Sequence, residues 1–156
     1  MKDLKLFAGF LGILYVLATI SGSAYASTTA TLQLIGNVPQ ILNVSVDPAS
    51  AAGNLDLTEN ATDLLVGELT AMTNSFSGFS ITATSTNDFE LVNSGASNAK
   101  VPYTLIVGTV VVSSGDQIVR SIPGTETHDI KITYIGNSMY DSGTYNDTVT
   151  FTITSP

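Results

Sequence analysis

From Thr29 to Val38 the chain alternates. Ala30, Leu32, Leu34, Gly36 and Val38 fall on one parity, and Thr29, Thr31, Gln33 and Asn37 on the other. A period of two places the apolar set on one face of an extended strand, and only Ile35 breaks it. Pro39 lacks an amide proton and drives Val38 toward extended backbone, which predicts a joint at that point. Ile41, Leu42, Val44 and Val46 then lead to a stop at Asp47-Pro48. Leu55 and Leu57 lie between polar residues, and Leu64 to Met72 is a second short apolar stretch. Phe79, Ile81 and Ala83 alternate with Ser80, Thr82 and Thr84, the pattern of a half-buried strand. Phe89 and Leu91, then Tyr103, Leu105 and Val107, then Ile130, Ile132 and Tyr134 repeat it. Val110 to Val112 is a β-branched run suited to a sheet edge or a crossing between sheets. Thr144 to Thr154 reads as one strand, with Tyr145, Val149, Phe151 and Ile153 on one side and Thr148, Thr150, Thr152 and Thr154 on the other.

Beyond residue 26 no window has the three-to-four-residue apolar spacing of a helix. Short strands divided by Gly, Asn, Asp and Ser at intervals of roughly ten residues predict an all-β chain, an antiparallel β-sandwich. Residues 1–26 differ in kind. Lys2 and Lys5 precede an uncharged run from Leu6 to Ile20, followed by Ser21-Gly22-Ser23 and Ala24-Tyr25-Ala26. That order predicts a secretory signal cleaved after Ala26, with Ala24 and Ala26 as the small residues at the cleavage point. The expected organisation is therefore a leader at 1–26, an N-terminal extension at 27–39 and a domain at 40–156.

Removing Lys2, Lys5 and Asp3 with the leader leaves three basic against 12 acidic residues, a formal charge of −9. Such a surface disfavours nucleic acid and anionic membrane. No cysteine is present, so a secreted domain of this size has to rely on its core, and thiol chemistry is excluded. His128, beside Asp129, is the only histidine, which rules out a multi-histidine metal site and makes a serine triad a remote prospect. Two oxygen-rich clusters, Asp56, Glu59, Asn60, Asp63 and Asn137, Asp141, Asn146, Asp147, lack the spacing of an EF-hand loop. Lys100 and Lys131 are candidates for an isopeptide bond to asparagine without a partner that the spacing singles out. Tyr103, Tyr134, Tyr140 and Tyr145 show no clustering along the chain that would mark a sugar-stacking platform. The expectation is a non-enzyme with no metal and no cofactor.

Two stretches, ATLQLIGNVPQILNVSV near the start and GTYNDTVTFTITSP at the end, resemble chaperone-usher pilins. The likeness is strongest to the cysteine-free class 5 (alternate) fimbrial major subunits and to the related spore coat U-like secreted proteins. The resemblance implies an Ig-like sandwich lacking its last strand, completed by the N-terminal extension of another copy. Matched residue by residue, Ala30, Leu32, Leu34, Gly36 and Val38 would face the groove as donor positions, and Val149, Phe151 and Ile153 would border it. It further implies a periplasmic chaperone and an outer-membrane usher as partners, a surface fimbria as destination, and adhesion to a host or surface receptor as its use. A different class of function remains open on the same residues. The first strand can fold back into its own domain, giving a self-contained secreted module that binds a carbohydrate or protein ligand.

Overall fold

The computed structural model describes residues 28–95, 98–113, 115, 117–120 and 123–155. The leader, with Ala24 and Ala26, lies outside the described residues, as does Ser27. The chain divides into two units after Gly36. In the first, residues 28–36 form neither helix nor strand and are exposed throughout. No described helix is long and apolar enough to cross a membrane.

The second unit is all-β, an antiparallel sandwich-like fold. Its strands are β1 (Leu42–Pro48), β2 (Ala61–Thr73), β3 (Phe79–Ser85), β4 (Glu90–Asn93) and β5 (Lys100–Val107). They continue with β6 (Val110–Val112), β7 (Gln117–Arg120), β8 (Gly124–Tyr134), β9 (Tyr145–Asn146) and β10 (Val149–Thr154). The larger sheet runs β1-β2-β8-β5-β4-β9, with β6 folded back on β5; the smaller runs β10-β3-β7. Val110–Val112 is thus the second arm of a hairpin. The core forms where the inward residues of both sheets meet: Leu69, Ala71, Leu105, Ile130 and Ile132 from one, Phe79, Ile81 and Ala83 from the other.

The long β2 shows how the chain turns its pattern over. Leu64 and Val66 point inward on even positions, whereas Leu69, Ala71 and Thr73 do so on odd ones. The parity changes where the register against β8 slips, between Leu65 and Gly67, with a second slip between Ala61 and Leu64. A bulge inserts one unpaired residue and reverses the side-chain alternation beyond it. Glycine suits the slip, because a Cβ on Gly67 would stand 3.0 Å from the Asp47 carbonyl oxygen of β1, and that strand would have to give by a few tenths of an ångström.

Thr144 to Thr154 is not one strand. Tyr145 and Asn146 pair with β4 in the larger sheet, and Val149 to Thr154 with β3 in the smaller, so the chain changes sheets at Asp147-Thr148. Gly143 permits the approach to this crossing: its φ is +153°, and a Cβ there would fall 2.6 Å from the Asn93 amide oxygen.

The two ends of the sandwich differ. At one, Leu42 pairs with Thr73 and Thr73 with Gly124. Asn74 Oδ1 accepts the Ile41 amide at 2.7 Å, and Asn74 Nδ2 donates to the Pro39 carbonyl at 2.9 Å. The chain therefore enters the sandwich at this end, the exit pole for anything N-terminal to Pro39. At the far pole Ala61 pairs with Tyr134. β1 runs from exit pole toward far pole, and β10 runs back, finishing with Thr154 opposite Ser80.

Candidate functional site

Among the described residues β1 pairs with β2 alone and β10 with β3 alone, so each is a sheet edge with one free row of backbone amides and carbonyls. The two edges come within 8 Å, Cα to Cα, yet share no ladder. Strand pairing needs about 4.5–5.5 Å. A strand laid between them needs roughly 9.6 Å, twice the usual spacing, so the edges have to part slightly to admit one. Between them lies a cavity of about 370 Å³ with Val46 and Pro48 on one wall, Val149 and Phe151 on the other, and Val66, Leu105, Ile130 and Ile132 among its lining. A second cavity of about 550 Å³ shares Ala52, Leu55, Leu91 and Asp147 with the first. It extends toward the far pole, where Leu57, Asn137, Tyr140 and Tyr145 enclose it and the Asn137 amide donates to the Leu57 carbonyl at 2.8 Å.

Asp147 fixes the wall that the two cavities share. Its Oδ2 accepts Ser85 Oγ–H and Tyr103 Oη–H, both at 2.6 Å. Its Oδ1 accepts the amides of Asn87 at 3.0 Å and Thr148 at 2.7 Å. Ser85 Oγ in turn accepts the amides of Asn87 and Phe89, holding the turn in which Asp88 and Phe89 both take positive φ. Phe89 then meets the Tyr103 ring edge-on, with centroids 5.8 Å apart. Burial, and next the Asp147 hydrogen bond, push the Tyr103 phenol far above the ordinary tyrosine range. One carboxylate thereby ties together β3, β5 and the crossing between β9 and β10.

Of the sequence-derived positions, Val149 and Phe151 line the groove; Ile153 packs half-buried against the core and is not among the lining residues. Ala30, Leu32, Leu34 and Gly36 lie exposed in the first unit, Leu34 at 83%, and Val38 is exposed in the second. Neither of the two cavities above is lined by any of them. The groove floor and Asp147 were not foreseen. Leu105, Ile130 and Ile132 are legible as strand residues, but nothing local says that they lie beneath a gap.

The tyrosines are more grouped than the sequence suggested: Tyr140 and Tyr145 stand 6.3 Å apart, centroid to centroid, at the far-pole cavity. The oxygen-rich clusters serve turns. Asp56 Oδ1 accepts both Thr58 groups, which hold its carboxyl below the usual range, and Asn60 and Asn137 side-chain oxygens accept the Gly136 and Met139 amides. Lys100 pairs with Glu90 at 2.5 Å and Lys131 with Asp129 at 3.1 Å, in both cases on the surface and with a carboxylate. His128 Nε2 lies 3.2 Å from Glu126 Oε2.

No family model matches the chain, and no curated protein matches it. Among solved structures it is similar to the minor tip subunit HdaB of the E. coli Hda pilus, at 10% sequence identity and a TM-score of 0.42, over 71% of this chain and 79% of that one.

Proposed function

We propose that this chain is a secreted, non-enzymatic subunit of a surface fibre, in which residues Ala30 to Val38 of one copy fill the groove between β1 and β10 of the next. The observation that carries this reading is the coexistence of two unmet needs in one chain: an apolar channel between two unpaired edges, and an exposed segment alternating with the period of a strand. Burying Leu32, Leu34 and Val38 contributes about 5–9 kcal/mol gross. Ladder hydrogen bonds add about 0.5–1.5 kcal/mol each. Ordering the strand costs about 1–2 kcal/mol per residue, so the net affinity depends on how little the parting of the walls adds to that cost.

Direction follows from the need to propagate. β1 and β10 are antiparallel, so a strand between them is parallel to one and antiparallel to the other. Running antiparallel to β10, it ends with Val38 at the acceptor's far pole, leaving the exit pole free to donate onward. The reverse brings two exit poles together and closes a dimer. A head-to-tail contact that does not close builds a filament. Before assembly the open groove and edges invite aggregation, which is the physical case for a chaperone in the periplasm and an usher in the outer membrane, the partners that the pilin resemblance implies. A ligand-binding module is the second reading, favoured by the tyrosine pair at the far-pole cavity.

Deleting residues 27–37 separates the two. A strand-donating subunit loses polymerisation and yields a monomer that is stabilised by added STTATLQLIGNVP peptide, seen as a rise in Tm. A self-contained module shows no peptide-dependent stabilisation, and that result would overturn the fibre reading.

A further inference from the structure

Leaving aside the segment that leads into β1, the most exposed large apolar residues described in the second unit are Phe76 at 91%, Met139 at 84% and Ile135 at 74%. They occupy opposite ends of the sandwich. Phe76 lies in the turn between β2 and β3 at the exit pole, two residues from Asn74, whose side chain grips the Pro39 carbonyl. Ile135 and Met139 lie in the loop after β8 at the far pole, where Asn137 and Tyr140 of the same loop line the second cavity, which adjoins the groove.

We infer that Phe76 of one copy packs on Ile135 and Met139 of the copy that accepts its strand, sealing the joint between successive subunits. The inference rests on the strand-donation reading and adds a second contact to it. When Val38 emerges at the acceptor's far pole, Pro39 follows at once, and the Asn74 grip carries the Phe76 turn to the same place. The donor's exit pole then faces the acceptor's far pole. Apolar side chains this exposed at two ends, brought together by one polarity, remove each other from water. The occupant is a second copy of this chain, since only a copy arrives with its turn held beside the inserted strand.

The chain has no cysteine, so a pair of introduced thiols reports this contact without background. The full secreted chain carrying Phe76→Cys and Met139→Cys, assembled and then treated with oxidant or a short bismaleimide, is expected to give a covalent ladder on a denaturing gel. Adding Leu34→Asp abolishes the ladder. Phe76→Cys alone stays monomeric on that gel. Polymers that form normally but give no ladder with either reagent overturn the joint and leave strand donation standing. Efficient dimers from Phe76→Cys alone also overturn it, because they place exit pole against exit pole. A parent chain that never polymerises overturns the joint and the fibre reading together. As a second measurement, Phe76→Ser, at a site too exposed to disturb folding, is expected to shed subunits from filament ends on the order of tenfold faster, and an unchanged rate counts against the contact.

Discussion

Residues 30–38 and residues 149–154 have nearly the same design and opposite circumstances. Both alternate Leu, Val, Phe or Ile with Thr or other polar residues. Val149 to Thr154 forms six paired positions with β3, and its Val149, Phe151 and Ile153 pack against the core. Residues 28–36, by contrast, form no strand, with Leu32 and Leu34 exposed. Alternation therefore encodes fitness for one face of a sheet and says nothing about which edge is met. What separates the two segments is the availability of a partner: β3 takes β10 on one side and β7 on the other, and two of the free edges, β1 and β10, bound the groove.

The same substitution in both segments tests this contrast most severely. Phe151→Asp places a carboxylate on the groove wall against the core and is expected to destabilise the monomer by about 3 kcal/mol or more, seen in urea unfolding. Leu34→Asp is expected to leave monomer stability within about 0.5 kcal/mol and to abolish assembly without preventing secretion. Filaments of normal length from Leu34→Asp would show that residue 34 is not buried in the fibre. Equal destabilisation by both changes would mean that the two segments are not different in kind.

Next in size is the tie that keeps the second segment in place. Asp147→Asn removes the charge that four donors converge on and turns an NH₂ group toward some of them. Hydrogen bonds to charged groups contribute about 1.5–3 kcal/mol, and the loss is expected within that range by chemical denaturation. A change below about 0.5 kcal/mol would mean that β10 is held by its ladder with β3 alone.

The contrast also explains what the sequence could disclose. Phe79–Ser85 and the Ile130–Tyr134 half of β8 were legible because one face meets the core and the other meets water, so composition records both. The division of Thr144 to Thr154 was not, since Tyr145 and Val149 keep the same parity across the crossing and the break depends on Ser85, Asn87 and Tyr103, all remote in sequence. Leu55 and Leu57 pack against the core from outside any strand, and the parity reversal at Gly67 hid the length of β2. For the site, alternation marked Val149 and Phe151 as one apolar face of a strand, and only the pilin resemblance suggested a groove beside them. The floor was not, because a missing neighbour leaves no mark on the residues beneath it.

The smallest expected effect comes from alkaline titration of the groove wall. Burial and the Asp147 hydrogen bond keep Tyr103 protonated in the folded state, whereas an unfolded tyrosine ionises near pH 10. Above that pH the unfolded chain binds fewer protons than the folded one, so stability falls as pH rises; below it the contribution is complete. Tyr103→Phe is expected to flatten this fall while lowering stability at neutral pH by the lost hydrogen bond, about 1–2 kcal/mol. Part of the slope should survive, because burial also raises the Tyr134 phenol, whose hydroxyl donates to the Asp56 carbonyl at 3.0 Å. An unaltered slope in Tyr103→Phe, measured by denaturation at a series of pH values above about 10, would mean that this part of the wall is open to solvent. A strand filling the groove buries Tyr103 further, so the parent chain with bound STTATLQLIGNVP peptide should ionise it at still higher pH.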